Sequence, residues 1–557
     1  MRTLAVRTII ALLAAGALSS AAAAENPITF IENELKAGKK IIVVPPGVYR
    51  LTPKNGVYLT LRDLSGVTID FTGVEFLGLV NTRMLEIENC VDVTLKGLTI
   101  DYDPLPFTQA RIVEVDDQKN WTVEVIEGYP SEDARGGWPI QVYGRESLEL
   151  VNPMRFEDNA AAIRTGERVY RITGGKNRSG ALGDIVVFSC NNSRDKNGKR
   201  ETGKDYAVFS RDCVNLRLEG FTVYSARSMA FREDGNTKAV YLNCKVARRP
   251  PETDHVQRGL KRLRSGNHDA FHSRFAKVGP QIIGCYAHYH CDDCVNITGL
   301  YSIVVKADGD ELRIIAVEDG RYLPVAGDSI QIMTPRFGRR LPDAEVLSVT
   351  PDGGTTVADE ALLRTLSLWP GSYRWYSTAF IMRIDRAEPL EMGSVIIDSR
   401  CGSGFLVKDC DFGHTRARGI LFKGSDGIVE NNTVVDCSGP GIWAGPSYAW
   451  MEGPCCSNVK VIGNRFRGCG GAGIVITGKT GLKIDLPANG HRDIVVSGNT
   501  ITGTTRGIQV TGCTNLDISN NVLELRTKRP EGAIILENVV NVTQENNVVS
   551  TRETKPE

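Results

Sequence analysis

The residues best suited to chemistry lie in Gly266-Asn267-His268-Asp269-Ala270-Phe271-His272 and, one short segment downstream, in Cys291-Asp292-Asp293-Cys294-Val295-Asn296. Asp269 precedes Asp292 by 23 positions and Asp293 by 24. Carboxyl groups held side by side push one pKa up, leaving a protonated acid beside an ionised base. Cleaving a glycosidic bond needs that division: an acid for the leaving oxygen, and a carboxylate that activates water or attacks carbon. An Asp-rich turn that satisfies its own backbone is the simpler alternative. Such a turn needs one Asp rather than two in succession, and apolar Val295 and Ile297 follow at once.

Histidine is scarce, yet five of the seven fall between positions 255 and 290. A metal site would combine His288 and His290, which share a face of an extended strand, with Asp292, Cys291 or Cys294. The group lacks a tetrahedral spacing, and hydrogen bonding of neutral imidazole to sugar hydroxyls, or packing, accounts for it without an ion. The expectation is no metal and no cofactor. Arg264, Asn267, His268, His272 and Asn296 complete a polar cluster expected to bind substrate. Farther along, His414 and Arg416, and then Trp450 and Glu452, join the candidate binding residues. Trp450, on a loop with Tyr448 and Met451, is expected to offer a flat ring to a sugar. Trp443, between Ile442 and Ala444, reads equally well as core.

The elements that must position these residues repeat. Runs opening at Asp92, Asn215, Asn458, Asp493 and Asn515 each alternate with period two and turn at a Gly or Asn pair. Strands so short bury a face only by stacking on copies of themselves. The expected fold is all-β: a right-handed parallel β-helix, a solenoid, with two β-barrel-like insertions. A propeller would need four strands per repeat with aromatic signatures, and a doubly wound fold would need long amphipathic helices. The one helix expected, 28–36, caps the coil stack ahead of a strand at 40–44. The organisation read from the sequence is a leader at 1–24, cap and first coils at 25–104, an insertion at 105–205, and coils with the Asp cluster at 206–300. A second insertion at 301–396, coils at 397–550 and a tail at 551–557 complete it.

Composition excludes several classes. The 557 residues are 41% hydrophobic and 24% charged, ordinary for a globular protein. Lys plus Arg and Asp plus Glu each total 66, so no net positive field holds a phosphate backbone. The expected partner is an oligosaccharide or polysaccharide, not nucleic acid. The oligomeric state stays open, a homodimer included. Arg2 and Arg7, the apolar run 9–18 and the small residues 19–24 have the order of a secretory signal cleaved near Ala24, which places the protein in the periplasm or outside the cell. That run is shorter than the ~20 residues of a bilayer span. Cys90, Cys244, Cys285, Cys410, Cys437 and Cys469 each follow Asn, Gly or Asp and read as small hydrophobes stacked coil on coil. Cys291/Cys294 and Cys455/Cys456 are the pairs open to a bridge or a reactive thiol.

With these residues in view the chain resembles glycoside hydrolase family 110, exo-acting α-galactosidases built on a β-helix with β-barrel insertions. The matching features are Arg262-Leu263-x-Ser265 leading to Asp269-Ala270-x-His272, then Gly279, Cys285, and Asp292-Asp293 with Asn296 and Gly299. Arg418-Gly419 and Trp450-x-Glu452-Gly453-Pro454 follow. The resemblance runs through about residues 60 to 525. It implies release of terminal α-linked galactose, with α-1,3 the expected linkage, by an inverting mechanism with Asp269, Asp292 and Asp293 as the carboxylates. Thr298 departs from the pattern, which has His before the Gly of the Asp-Asp motif. The nearest rival is a polygalacturonase-like hydrolase, which should carry Gly-His-Gly and Arg-x-Lys; Gly413-His414 and Arg416 echo these only in part. A polysaccharide lyase and a non-catalytic glycan-binding β-helix are the remaining alternatives.

Overall fold

The computed structural model describes residues 26–132, 140–151, 160–174, 180–190, 205–366, 372–386, 388–477, 489–527 and 530–552. The leader expected at 1–24 and most of the expected tail lie outside them. The chain winds into a parallel β-helix whose coils contribute one short strand to each of three parallel faces. Phe231–Asp234, Phe271–Arg274, Val295–Leu300 and Ile420–Phe422 follow one another on the first face. Val240–Leu242, Gln281–Ile283, Leu406–Lys408 and Ile428–Glu430 do so on the second. Lys245–Val246, Tyr286–His288, Asp411–Gly413 and Thr433–Val435 do so on the third.

The Asn, Asp and Gly punctuation makes the corners. Between the second and third faces Asn243, Gly284, Asp409, Asn431, Gly463 and Gly498 all take positive φ, between 53° and 66°, a region that Gly, Asn and Asp tolerate best. That turn points the next residue inward. The inward residues are Cys244, Cys285 and Cys410, then Asn432, Asn464, Asn499 and Asn521. Thiols meet coil to coil, with Cys285 N–H donating to Cys410 Sγ at 3.4 Å. The asparagines hydrogen-bond in a ladder, Asn432 to Asn464 at 2.9 Å and Asn464 to Asn499 at 3.0 Å. All fourteen cysteines are buried thiols outside any disulfide, so neither Cys291/Cys294 nor Cys455/Cys456 is bridged. Inside the coils like residues stack, as Phe231 does on Phe271 with ring centroids 5.0 Å apart and planes 4° from parallel.

Two antiparallel β units leave the coil. The first, six strands between Phe107 and Ser189, forms its own sheet and core around Trp121, Tyr143 and Phe188. The second, between Ser302 and Asp398, is a closed six-stranded barrel. Pro27–Lys36 forms the capping helix, with Asn26 at its N-terminus accepting from Ile28 N–H at 2.9 Å. A second helix, Val357–Thr365, was not expected. Its signal was present in the sequence, because Thr356 and Asp359 form a reciprocal capping box. Among the described residues no helix is long and apolar enough to cross a membrane.

Candidate active site

Coil register brings the carboxylates together. Phe271 pairs with Val295, and Val295 with Ile420. Two residues before each of them stand Asp269, Asp293 and Arg418, stacked on successive coils at the corner that leads into the first face. Ala270 N–H donates to the Asp293 carbonyl at 3.0 Å and Cys294 N–H to that of Arg418 at 3.2 Å. Residues 291–293 form no strand, and this corner lets consecutive Asp292 and Asp293 serve one surface, which strand alternation would forbid. One oxygen each of Asp269, Asp292 and Asp293 lies within 4.8 Å of the other two.

Their surroundings divide the three. Burial, followed by the charges of Asp292 and Asp293, holds the Asp269 carboxyl well above the usual carboxylate range. Its Oδ2 lies 2.5 Å from His272 Nδ1. His272 is kept neutral by burial and by the cations Arg232, Arg274 and Lys423, which push its pKa well down. With both groups neutral, the imidazole tautomer sets the direction of this bond, and Nδ1–H donating to Oδ2 leaves the Asp269 proton free for a substrate oxygen. Burial also opposes charge on Asp292, but Arg416, 2.8 Å away, and Arg418 outweigh it and lower the pKa. Asp292 is the accessible member, its side chain 17% exposed against 6% for Asp269 and 2% for Asp293. Asp293 is gripped by a fork of two 2.7 Å bonds from Arg418 Nε and Nη2, with a third bond from the Arg418 N–H at 2.9 Å. The three carboxylates are close enough to hold a divalent cation, yet two guanidinium groups already serve as their counter-ions.

The floor of the site is the outward row of the first face: Arg232, His272, Asn296, Leu421 and Trp443 stand in register on successive coils. The two β units rise on its opposite margins. On the near side Arg264 reaches Gln141 Oε1 at 2.8 Å and the Val187 carbonyl at 2.9 Å. On the far side Arg274 pairs with barrel residue Glu318 at 2.5 Å, and Phe275 stacks on Tyr322 at 4.6 Å. Gly299 lies where the barrel departs, and a Cβ there would come within 2.2 Å of Cys401 Sγ. At ~3.3 Å per residue a four-residue strand spans about 13 Å, and the two β units stand at its two ends.

Several expected binding residues have other work. Arg264 and Asn267 are buried and bond to each other at 3.1 Å, while Asn267 also donates to the Pro106 carbonyl at 2.9 Å. They bolt the first β unit to the Asp269 corner. His414 faces away from the carboxylates on the third face, with Nδ1 2.8 Å from His288 Nδ1 and its ring stacked on Tyr289. Tyr289 has φ 63°, which breaks strand alternation, so His288 and His290 do not share a face and no ligand set forms with Asp292. His290 is fully buried, with neither ring nitrogen hydrogen-bonded among the described residues. Arg416 is brought to Asp292, and also donates to the Cys291 carbonyl at 2.7 Å. His268 lies within electrostatic reach of Asp292, its pKa lowered chiefly by burial. Asn296 and Glu452 converge on Lys423, at 3.5 Å and 2.8 Å. Trp450 is 37% exposed on the strap beside the barrel. Trp443 faces outward on the floor rather than into the core. Arg418 and Lys423 were absent from the expected site. Arg418 carried a readable signal, since it stands at the same offset before its strand as Asp269 and Asp293.

Residues 391–486 match the family model for a right-handed β-helix region. The chain is 23% identical over 445 residues to Alpha-1,3-galactosidase B of Bacteroides thetaiotaomicron, a match covering 75% of this chain and 66% of that protein. It is 24% identical over 494 residues to the protein of the same name from Phocaeicola vulgatus, covering 79% and 76%. Among solved structures, the catalytic domain of a GH87 alpha-1,3-glucanase in complex with nigerose is similar over 95% of this chain and 68% of that one, with 9% identity and a TM-score of 0.41. The chain is a right-handed parallel β-helix protein related in sequence to curated proteins named Alpha-1,3-galactosidase B.

Proposed function

We propose that the protein is an exported glycoside hydrolase that releases terminal α-1,3-linked galactose from glycans with inversion of configuration. The observation that carries the proposal is one tight cluster of three carboxylates in unlike settings: Asp269 is buried against His272, which raises its pKa, and Asp292 is more accessible and paired with Arg416, which lowers its pKa. In this reading Asp269 gives its proton to the glycosidic oxygen as the bond to the anomeric carbon breaks. Asp292, the accessible carboxylate, draws a proton from the attacking water. Asp293 and Arg418 fix the geometry, and the charge of Asp293 helps keep the proton on Asp269. The proton belongs to the cluster as a whole, so its titration is that of a coupled set.

The two β units that flank the Asp cluster favour the end of a glycan chain over its middle. Linkage rests on the names of the relatives, and stereochemistry on the family resemblance. The cluster is tighter than the ~6.5–9.5 Å spacing of most inverting pairs, so the product anomer has to be measured. Supplied with α-1,3-, α-1,4- and α-1,6-linked galactobiose, the protein should release galactose from the first; release from none contradicts the proposal. Export rests on the order of residues 1–24. It predicts protein recovered outside the cytoplasm with Glu25 at or near its N-terminus, and an intact Met1 on the mature protein contradicts it.

A further inference from the structure

We propose that Lys423 and Glu452 form a charge-compensated pair that makes the terminal subsite select an uncharged sugar over a uronic acid; this rests on the glycosidase reading above. A continuous line of contacts leads to the pair from the carboxylates. Asp269 meets His272 at 2.5 Å, His272 pairs in register with Asn296 on the next coil, and Asn296 Oδ1 lies 3.5 Å from Lys423 Nζ. Lys423 is also one of the cations whose charge reaches His272, so the pair lies beside the imidazole that meets Asp269.

The Lys423 side chain is 1% exposed, and its ammonium sits 2.8 Å from Glu452 Oε2, whose side chain is 15% exposed. Glu452 is held there by backbone pairing, Leu300 opposite Glu452 and Gly299 opposite Gly453, where the barrel leaves the coil. A buried ammonium at this place would, alone, receive a sugar carboxylate. Glu452 is the more exposed member of the pair, so a sugar reaching it meets carboxylate oxygens that accept from hydroxyls. The other cations beside the cluster, Arg416 and Arg418, are likewise engaged by Asp292 and Asp293. Among the described residues, Arg232 and Arg274 on the same face are engaged too, by Asp234, so a uronate entering the subsite would meet Glu452 and Asp292 with these cations already paired.

The test is binding of D-galactose and D-galacturonate, followed by NMR titration, to wild type, to Glu452→Gln and to the double variant Lys423→Met with Glu452→Gln. Wild type should prefer galactose by at least ~100-fold, the scale of a like-charge penalty. Glu452→Gln should gain galacturonate affinity by ~10-fold or more, and the double variant should lose that gain. Comparable binding of both sugars by wild type overturns the inference. So does a folded Glu452→Gln variant with unchanged preference. Should that variant fail to fold, the wild-type preference decides. Binding of galacturonate without galactose overturns this inference alone, whereas binding of neither sugar overturns the glycosidase reading itself.

Discussion

Replacing Asp292 by Asn keeps the side chain's volume and one oxygen facing Arg416, while removing the charge that draws a proton from water. Arg416 retains its 2.7 Å bond to the Cys291 carbonyl, so the corner should hold and the thermal midpoint should move little. A general base contributes about 10²–10⁴ in rate, or about 3–5 kcal/mol at 1.36 kcal/mol per tenfold. That loss should appear in kcat with any leaving group, because water attack is needed for all of them. Asp269→Asn is the contrast. It removes the proton given to the leaving oxygen, so the loss should reach the same range on a galactobiose and be much smaller on a nitrophenyl α-galactoside, whose phenolate leaves with little assistance. The assay is kcat and KM for both variants on both substrates, with folding checked by circular dichroism. A folded Asp292→Asn variant within tenfold of wild type on both substrates refutes the assignment, and Glu452 then becomes the next carboxylate to replace.

Activity against pH should be bell-shaped. The competent form keeps Asp269 protonated and Asp292 ionised, so it is lost as pH rises through the elevated Asp269 pKa and as pH falls through the depressed Asp292 pKa; a profile with a single limb contradicts the division. Chelation with EDTA should leave turnover unchanged, because Arg416 and Arg418 already balance the carboxylates; loss restored by a divalent ion would make the cluster a metal site. Arg264→Met should cost about 3–5 kcal/mol of stability, since it leaves buried acceptors on Gln141, Asn267 and Val187 without their donor. KM of the folded variant should stay within twofold, and a stable variant with a large rise in KM would return Arg264 to substrate binding.

The parts of the fold that repeat were legible. Asp92, Asn215, Asn458, Asp493 and Asn515, which mark the openings of the strand runs, all take positive φ at one corner of the coil, and Asn215 donates to Asp92 and Asn515 to Asp493 at 2.8 Å each. The 23- and 24-residue offsets located the Asp cluster because β-helix register turns sequence period into contact. Residues whose partners lie outside the period could not be placed by it. Arg264 and Asn267 stand beside Asp269 in sequence, but their partners Gln141, Val187 and Pro106 come from the first β unit. His414 and Arg416 are two apart, yet a positive φ at His414 and the corner that follows send one to the third face and the other to Asp292. Trp443 was readable either as core or as an outward ring, and strand alternation, which places a central residue opposite to its two buried neighbours, decides for the second.

The central claim is tested most directly by following the first turnover of an α-1,3-linked galactobiose by proton NMR. The account predicts that galactose appears first as the β-anomer and only later mutarotates. Initial α-galactose would overturn inversion and fit a nucleophilic role for one of the tightly spaced carboxylates. No release of galactose from this substrate would contradict the galactosidase reading.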